Sequence, residues 1–273
     1  MNNKASTVVL ICLLSILIFV LGYILIYGIK EGGFKNKKAK LLLSETYSLD
    51  EIEKISVTTR SSDIIFKESE DDKVYVDIYA VKKDDVSSTI EDGELKIVSK
   101  AKLNFCFMCF RSGSQKVEIK LPKSFEGSIK TSAKSGDLII PSYKNVNLTA
   151  DAKSGDVSIG NVKNATINLT SGDIEIKKVQ TANIRTTSGD IEIDNVENKV
   201  DIKVTSGDVD IDNFDIKANS SIKATSGDIE IRNLSNAFVN TSVKSGDVKV
   251  NGSDRTAEYE LDITVTSGDI KIN

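Results

Sequence analysis

The chain has no histidine and no tryptophan, and only two prolines in 273 residues. Without histidine it lacks the commonest general base and the commonest metal ligand. Aromatic residues are few, at 6%. The three cysteines, Cys12, Cys106 and Cys109, are too few for a disulfide framework. No large charge of either sign is present: 36 basic and 40 acidic residues leave a net charge of −4, which argues against nucleic acid as a partner for the whole molecule. The length suits one large domain or two small ones.

What is present begins with an apolar run. Residues 5–29 carry no charge and are mostly Leu, Ile and Val. As a helix the run rises roughly 37 Å at about 1.5 Å per residue, enough to cross a hydrocarbon core of about 30 Å. A cleaved signal peptide is the rival reading, but its apolar core is shorter and ends in small residues. Tyr27-Gly28-Ile29-Lys30 does not fit such a site. Cys12 lies inside the run without the small residue that a lipoprotein site places before its cysteine, and it reads as a lipid-facing filler. The expected organisation is a short tail over 1–6, a transmembrane helix over 7–29 and a lysine-rich juxtamembrane linker over 30–44. Residues 30–40 hold five lysines and one glutamate, which suits either anionic head groups or a solvated linker.

Residues 45–125 alternate apolar and polar side chains, as in Lys73-Val74-Tyr75-Val76-Asp77-Ile78-Tyr79 and Lys116-Val117-Glu118-Ile119-Lys120-Leu121. That period of two predicts strands with one buried face, separated by Asp- and Gly-containing turns. Phe105-Cys106-Phe107-Met108-Cys109-Phe110 reads as a buried strand, with an exposed edge or membrane-touching loop as the alternative. Cysteines three apart in a strand lie about 10 Å apart on opposite faces, too far for a disulfide without a bulge or turn. Zinc would need two further ligands.

From residue 126 the chain is a repeat. Ser-Gly-Asp occurs eight times, starting at Ser135, Ser154, Ser171, Ser188, Ser206, Ser226, Ser245 and Ser267, at intervals of 17–22 residues. Thr59-Arg60-Ser61-Ser62-Asp63-Ile64-Ile65 resembles a degenerate earlier copy. Each repeat reads as strand, tight corner, strand: Ile167 and Leu169, then Ser171-Gly172-Asp173, then Ile174 and Ile176. Glycine takes positive φ without steric penalty, and aspartate hydrogen-bonds nearby backbone N–H groups. The same structural role falls to Ser188-Gly189-Asp190, Ser206-Gly207-Asp208 and Ser226-Gly227-Asp228. Carrying the alternation through the corner puts Ser171 on the inward side with Ile167 and Leu169. The expected fold is therefore all-β: a solenoid of about eight rungs over 126–273, roughly 38 Å long at about 4.8 Å per rung, preceded by irregular strands and an N-terminal transmembrane helix. A β-propeller would need blades of about 40 residues.

In such a stack the corner aspartates Asp173, Asp190, Asp208 and Asp228 form one column, and Glu175, Glu192, Asp210 and Glu230 form another. Turn stabilisation is the first reading. Divalent-ion binding, with calcium as the candidate cofactor, is the second; the known calcium-binding β-roll repeats every nine residues with more glycine. A catalytic carboxylate pair is the least supported, because a site needs one special place. Asn168, Arg185, Lys203 and Lys223 form an outward column beside Thr170, Thr187, Thr205, Thr225 and Thr266. The basic and acidic columns balance each other on the plainest reading. One threonine per strand does not make the flat two-column array of ice-binding solenoids.

Thr-Ser-Gly-Asp-Ile-Glu-Ile units at 187–193 and 225–231, together with Lys-Val-Glu-Ile-Lys-Leu-Pro at 116–122, resemble the bacterial β-strand-repeat adhesin family, including its membrane-anchored, LiaG-like members. The resemblance covers about residues 50–273. It implies a solenoid-like fold, a cell-surface location and no catalytic residues. The leading expectation is a non-enzymatic cell-envelope protein that binds an envelope or protein ligand. A bactofilin-like polymer on the cytoplasmic face is the alternative, and a polysaccharide-acting solenoid enzyme comes last. The five lysines that follow the apolar run favour a cytoplasmic solenoid by the positive-inside rule, whereas the resemblance favours the outside. Finally, the chain ends at Ile270-Lys271-Ile272-Asn273 directly after the eighth corner. An uncapped last rung there would expose an open edge and permit weak self-association.

Overall fold

The computed structural model describes residues 39–81, 86–100 and 115–273. The expected anchor at 7–29 and the Cys106/Cys109 segment lie outside the described residues. Among the described residues no helix is long and apolar enough to cross a membrane. Their regular elements are strands apart from one 3-10 turn, Leu49–Glu51.

The repeat dictates the stack. Strands Val157–Ser171, Ile174–Ser188 and Ile191–Ser206 each run from one corner to the next and pair in parallel. Like residues lie opposite one another: Ile174 on Ile191, Ile176 on Ile193, Val179 on Val196, Ile184 on Ile202. All of these are buried. A coil on its own leaves its aliphatic row half in water. Stacking closes that row, and each fully buried Ile, Leu or Val contributes about 1.5–3 kcal/mol relative to exposure. The result is an all-β solenoid with one sheet face before the corner and a second face after it.

The earlier strands join the same sheets. Lys54–Thr59 pairs in parallel with Gly127–Ser135 on the first face, and Asp63–Ser69 pairs with Leu138–Ile140 on the second. Between these two early strands Ser61 bridges to Ser135, so the segment at 59–65 occupies a corner of the stack. Beyond it the pairing turns antiparallel. Lys73–Ala80 lies antiparallel to both Lys116–Pro122 and Lys40–Ser48, and Val86–Glu91 folds back on Glu94–Ser99. That hairpin turns through Asp92 and Gly93, both with positive φ, the geometry a two-residue Asp-Gly loop supplies. Tyr143 is fully buried at this end, where its hydroxyl donates to the carbonyls of Lys67 (3.0 Å) and Leu121 (3.1 Å). Burial pushes its phenol pKa well up.

At the far end the coils do not follow chain order. The last coil, Tyr259–Ser267 with Ile270–Ile272, pairs on one side with Ser220–Ser226 and Ile229–Ile231. On its other side it pairs with Ala237–Ser245 and Val248–Val250. The open edge expected at Ile270–Asn273 therefore lies instead at residues 237–250. The side chains supply the reason. Leu261, Ile263, Val265, Ile270 and Ile272 face Val239, Thr241, Val243, Val248 and Val250 position by position. The larger set is at most 1% exposed, while Val248 of the outer coil is 46% exposed. Seating the greasier coil inside keeps its extra methylenes from water, at about 0.8 kcal/mol each.

Residues 251–258 carry the chain back to the slot. They also cover part of the new edge: Ser253 Oγ accepts from the Val239 N–H (3.0 Å) and the Asp254 N–H donates to the Ala237 carbonyl (3.0 Å).

This order is testable by engineered disulfides. Lys223 lies opposite Thr264, whereas Ser242 is one coil further out. Opposed Cα atoms of neighbouring strands lie within the roughly 4.4–6.8 Å that a disulfide spans, and strands two coils apart do not. A Lys223→Cys/Thr264→Cys pair, in a background with the native cysteines replaced by serine, is expected to cross-link under mild oxidation. A Lys223→Cys/Ser242→Cys pair is expected to stay reduced. The reverse outcome would restore chain order. In thermal melts Ile263→Ala should cost about 2–5 kcal/mol, and Thr241→Ala on the edge coil under about 0.5 kcal/mol.

Candidate functional site

Each corner brings three groups together. The glycine has φ between +121° and +140° at the eight Ser-Gly-Asp corners, including Gly172 (+134°), Gly189 (+127°), Gly207 (+139°) and Gly227 (+134°). Positive φ is only part of its role. A Cβ on Gly189 would overlap the carbonyl oxygen of Gly172, and one on Gly207 would overlap that of Gly189. Glycine sits directly on glycine, so the column fixes how closely coils approach.

The aspartates form a ladder. The Asp190 N–H donates to Oδ1 of Asp173 (2.9 Å), the Asp208 N–H to Oδ1 of Asp190 (2.9 Å), and the Asp228 N–H to Oδ1 of Asp208 (2.7 Å). The ladder follows the spatial order of the coils: Asp269 donates to Asp228, and Asp247 donates to Asp269. Each side chain thus satisfies a backbone donor that the corner takes out of the sheet ladder.

Ser171, Ser188, Ser206 and Ser226 differ from expectation. All four are exposed, not inward. Thr170 and Ser171 both face out, and the paired register steps from Leu169 on Thr186 straight to Ser171 on Ser188. The strict alternation therefore breaks one residue before the corner.

The second carboxylate column is engaged otherwise. Glu175 meets Lys177 (2.5 Å), which also reaches Asp194 (3.4 Å). Glu230 meets Lys271 (2.6 Å) and Arg232 (3.2 Å), and Arg232 also pairs with Asp210 and Asp212. Lys271 and Arg232 hold the Glu230 carboxyl below its usual pKa. Asp210 is raised, chiefly by burial, against the pull of Arg232. Among the described residues no three His, Cys, Asp or Glu side chains are grouped to hold a metal ion. Asp173, Asp190, Asp208 and Asp228 stand in the backbone ladder, and Glu175, Glu192, Asp210 and Glu230 lie in register on successive coils, three of them paired with nearby bases.

The first face carries a different feature, an open trough of about 770 Å³ running across the coils beside the corner. Asn168, Arg185, Lys203 and Lys223 line one side, and Thr170, Thr187, Thr205, Thr225 and Thr266 line the other. Lys134 and Lys153 extend the basic character toward the antiparallel end. These two lysines stand one residue before the corner serine, where Thr170, Thr187, Thr205, Thr225 and Thr266 stand in other coils and Lys244 in the edge coil. Among the described residues Lys203 and Lys223 make no ion pair with a carboxylate.

The fold and its columns define a β-solenoid repeat protein that displays side chains in periodic rows. The family model described as Toastrack DUF4097 matches residues 52–273, and the chain belongs to that family. A solved structure of a "putative adhesin" from Bacteroides fragilis shares the fold at TM-score 0.52 and 20% identity, covering 86% of this chain and 97% of that one. A "putative adhesin" from Parabacteroides merdae aligns at TM-score 0.48 and 13% identity, over 87% and 97% of the two chains. A "putative lipid binding protein" from Parabacteroides distasonis aligns at 0.47 and 16%, over 87% and 98%. No curated protein matches the chain.

The corner geometry separates a hydrogen-bonded ladder from an ion site. Asp190→Asn keeps an acceptor oxygen and should leave the unfolding midpoint nearly unchanged. Asp190→Ala removes it and should cost about 1 kcal/mol. A loss with Asn as large as with Ala, recovered by added calcium, would mean that charge and a cation matter instead. Gly189→Ala meets both overlap and positive φ, so it should exceed the roughly 1–3 kcal/mol of a strained backbone alone. Gly252 has φ +83° and nothing within 4 Å of a Cβ. Gly252→Ala should stay inside that range.

Proposed function

We propose that this chain is a non-enzymatic, membrane-anchored binding scaffold of the bacterial cell envelope, adhesin-like in role and similar to LiaG-type anchored members. One observation carries the non-enzymatic reading: the corner carboxylates are tied to backbone N–H groups in coil after coil. Catalysis needs one place with its own acid, base or nucleophile. Here the same groups recur, and from Asp173 through Asp228 to Asp269 each carboxylate holds the N–H of the next coil in the stack. The naming of the Bacteroides fragilis relative as a "putative adhesin" agrees with a binding role.

The anchor is the helix over 7–29, within an uncharged run at 5–29 that is long enough for a bilayer. The solenoid stands outside the cell, as the family resemblance favours. A second reading, an end-to-end polymer on the cytoplasmic face, has two supports of its own. Five lysines follow the apolar run, and the coil at 237–250 presents a partly open edge. Open edges template further strand pairing.

A reporter fused after Asn273 distinguishes the two. Activity of an exterior-dependent reporter, with accessibility of the solenoid to protease in intact cells, is the expected result. A cytoplasmic signal with protection from protease would favour the polymer. Purified full chain is also expected to show no saturable turnover of glycans or peptides. Turnover abolished by changing one corner Asp, but kept when its neighbours in adjacent coils are changed, would overturn the non-enzymatic reading.

A further inference from the structure

The two sheet faces differ in how their charges are used. On the second face the basic groups of the central coils are neutralised nearby: Lys177 by Glu175 and Asp194, Arg232 by Asp210, Asp212 and Glu230, Lys271 by Glu230. On the first face the trough gathers Lys134, Lys153, Arg185, Lys203 and Lys223 against one carboxylate, Asp151. Asp151 is itself occupied by the Asn168 side-chain amide (2.8 Å). Among the described residues Arg185 bonds only the neutral amide oxygen of Asn183 (2.7 Å). A chain of net charge −4 thus concentrates uncompensated positive charge in one groove.

The geometry points to a linear, hydroxyl-bearing polyanion as the occupant of this trough: an anionic glycopolymer whose units repeat a phosphodiester or carboxylate group. This inference deepens the scaffold reading by naming its ligand class. Three features select that chemistry. Arg185, Lys203 and Lys223 lie directly opposite one another on successive coils, so their charges recur at about the 4.8 Å inter-strand spacing and follow an extended chain. The threonine row beside them offers hydroxyls, which both donate to and accept from polyol or sugar hydroxyls. Among the described residues the lining contains no aromatic side chain, the stacking platform that single-stranded nucleic acids require. A compact anion would use one coil and gain nothing from the row.

The measurement is equilibrium binding to the full chain in detergent micelles, followed as salt is raised. The probes are poly(glycerol phosphate), polygalacturonate, neutral dextran and oligothymidylate. Saturable binding of either anionic glycopolymer, without binding of dextran, is expected. Preference between the two identifies phosphate or carboxylate as the source of charge, and either supports the proposal. Lys203→Gln/Lys223→Gln should weaken binding at least about tenfold and lower the slope of log K against log salt by about two, one per lost contact. Lys163→Gln, an exposed lysine outside the trough, should change neither quantity. The proposal is overturned by an absence of binding to both glycopolymers at about 50 mM salt, where such contacts are strongest. Equal loss with Lys163→Gln, equal binding of dextran, or binding of oligothymidylate alone would overturn it as well. None of these outcomes depends on which side of the membrane the solenoid occupies. The reporter experiment can therefore fail while the trough proposal stands, and the reverse.

Discussion

The stack depends on the contact of one glycine backbone with the next. Gly136, Gly155, Gly172, Gly189, Gly207, Gly227, Gly268 and Gly246 form a column in which a Cβ on any member would overlap a neighbouring carbonyl. Close approach at this line keeps adjacent corners at sheet spacing and lets the strands on both sides pair in register. Parallel pairing of identical repeats then brings isoleucine onto isoleucine, and the core needs no other specification. The aspartate ladder belongs to the same constraint. Turning the chain at glycine withdraws the next N–H from the sheet, and Oδ1 of the previous coil's aspartate takes it.

That commitment limits where function can reside. A residue required in every coil cannot distinguish one coil from another. The variable positions are the outward ones on the two faces, and these have diverged in sign. The second face pairs its acids with bases locally. The first face leaves lysines and threonines in adjacent rows along the trough. Such a surface is suited to recognition by repetition, through many weak contacts in register that salt would screen. A fold that builds rows suits a ligand that is itself a row.

Much of this was legible in the residues. The Ser-Gly-Asp period and the aliphatic alternation at Ile167, Leu169, Ile174 and Ile176 are enough to place strands, corner and core, because period-two burial is read directly from side-chain type. Strict alternation places the corner serines inward, but it ends at Leu169: Thr170 and Ser171 both face out. The partner of the aspartate side chain was not readable in detail either. Its acceptor role was, but the donor lies 17 residues away at Asp190, across coils. Sequence-local reasoning about turns looks within the same corner.

Coil order was the least legible feature, because repeats with the same pattern are interchangeable in pairing. Any coil can stack on any other, so connectivity alone favours chain order. The tie is broken by small differences in side-chain size. The pair Ile263 and Thr241, stacked directly on one another, shows the preference most clearly: the hydrocarbon is buried and the hydroxyl-bearing residue takes the edge side. Leu261 against Val239 and Ile270 against Val248 lean the same way. An edge coil loses the burial that a second neighbour would provide, so the weakest coil loses least by occupying it. The connection at 251–258 makes this arrangement reachable, and its Ser253 and Asp254 satisfy backbone groups of the coil left outside. Among the described residues no helix caps this end; the pairing order instead leaves outermost the less aliphatic of the two paired coils, covered in part by a hydrogen-bonded loop.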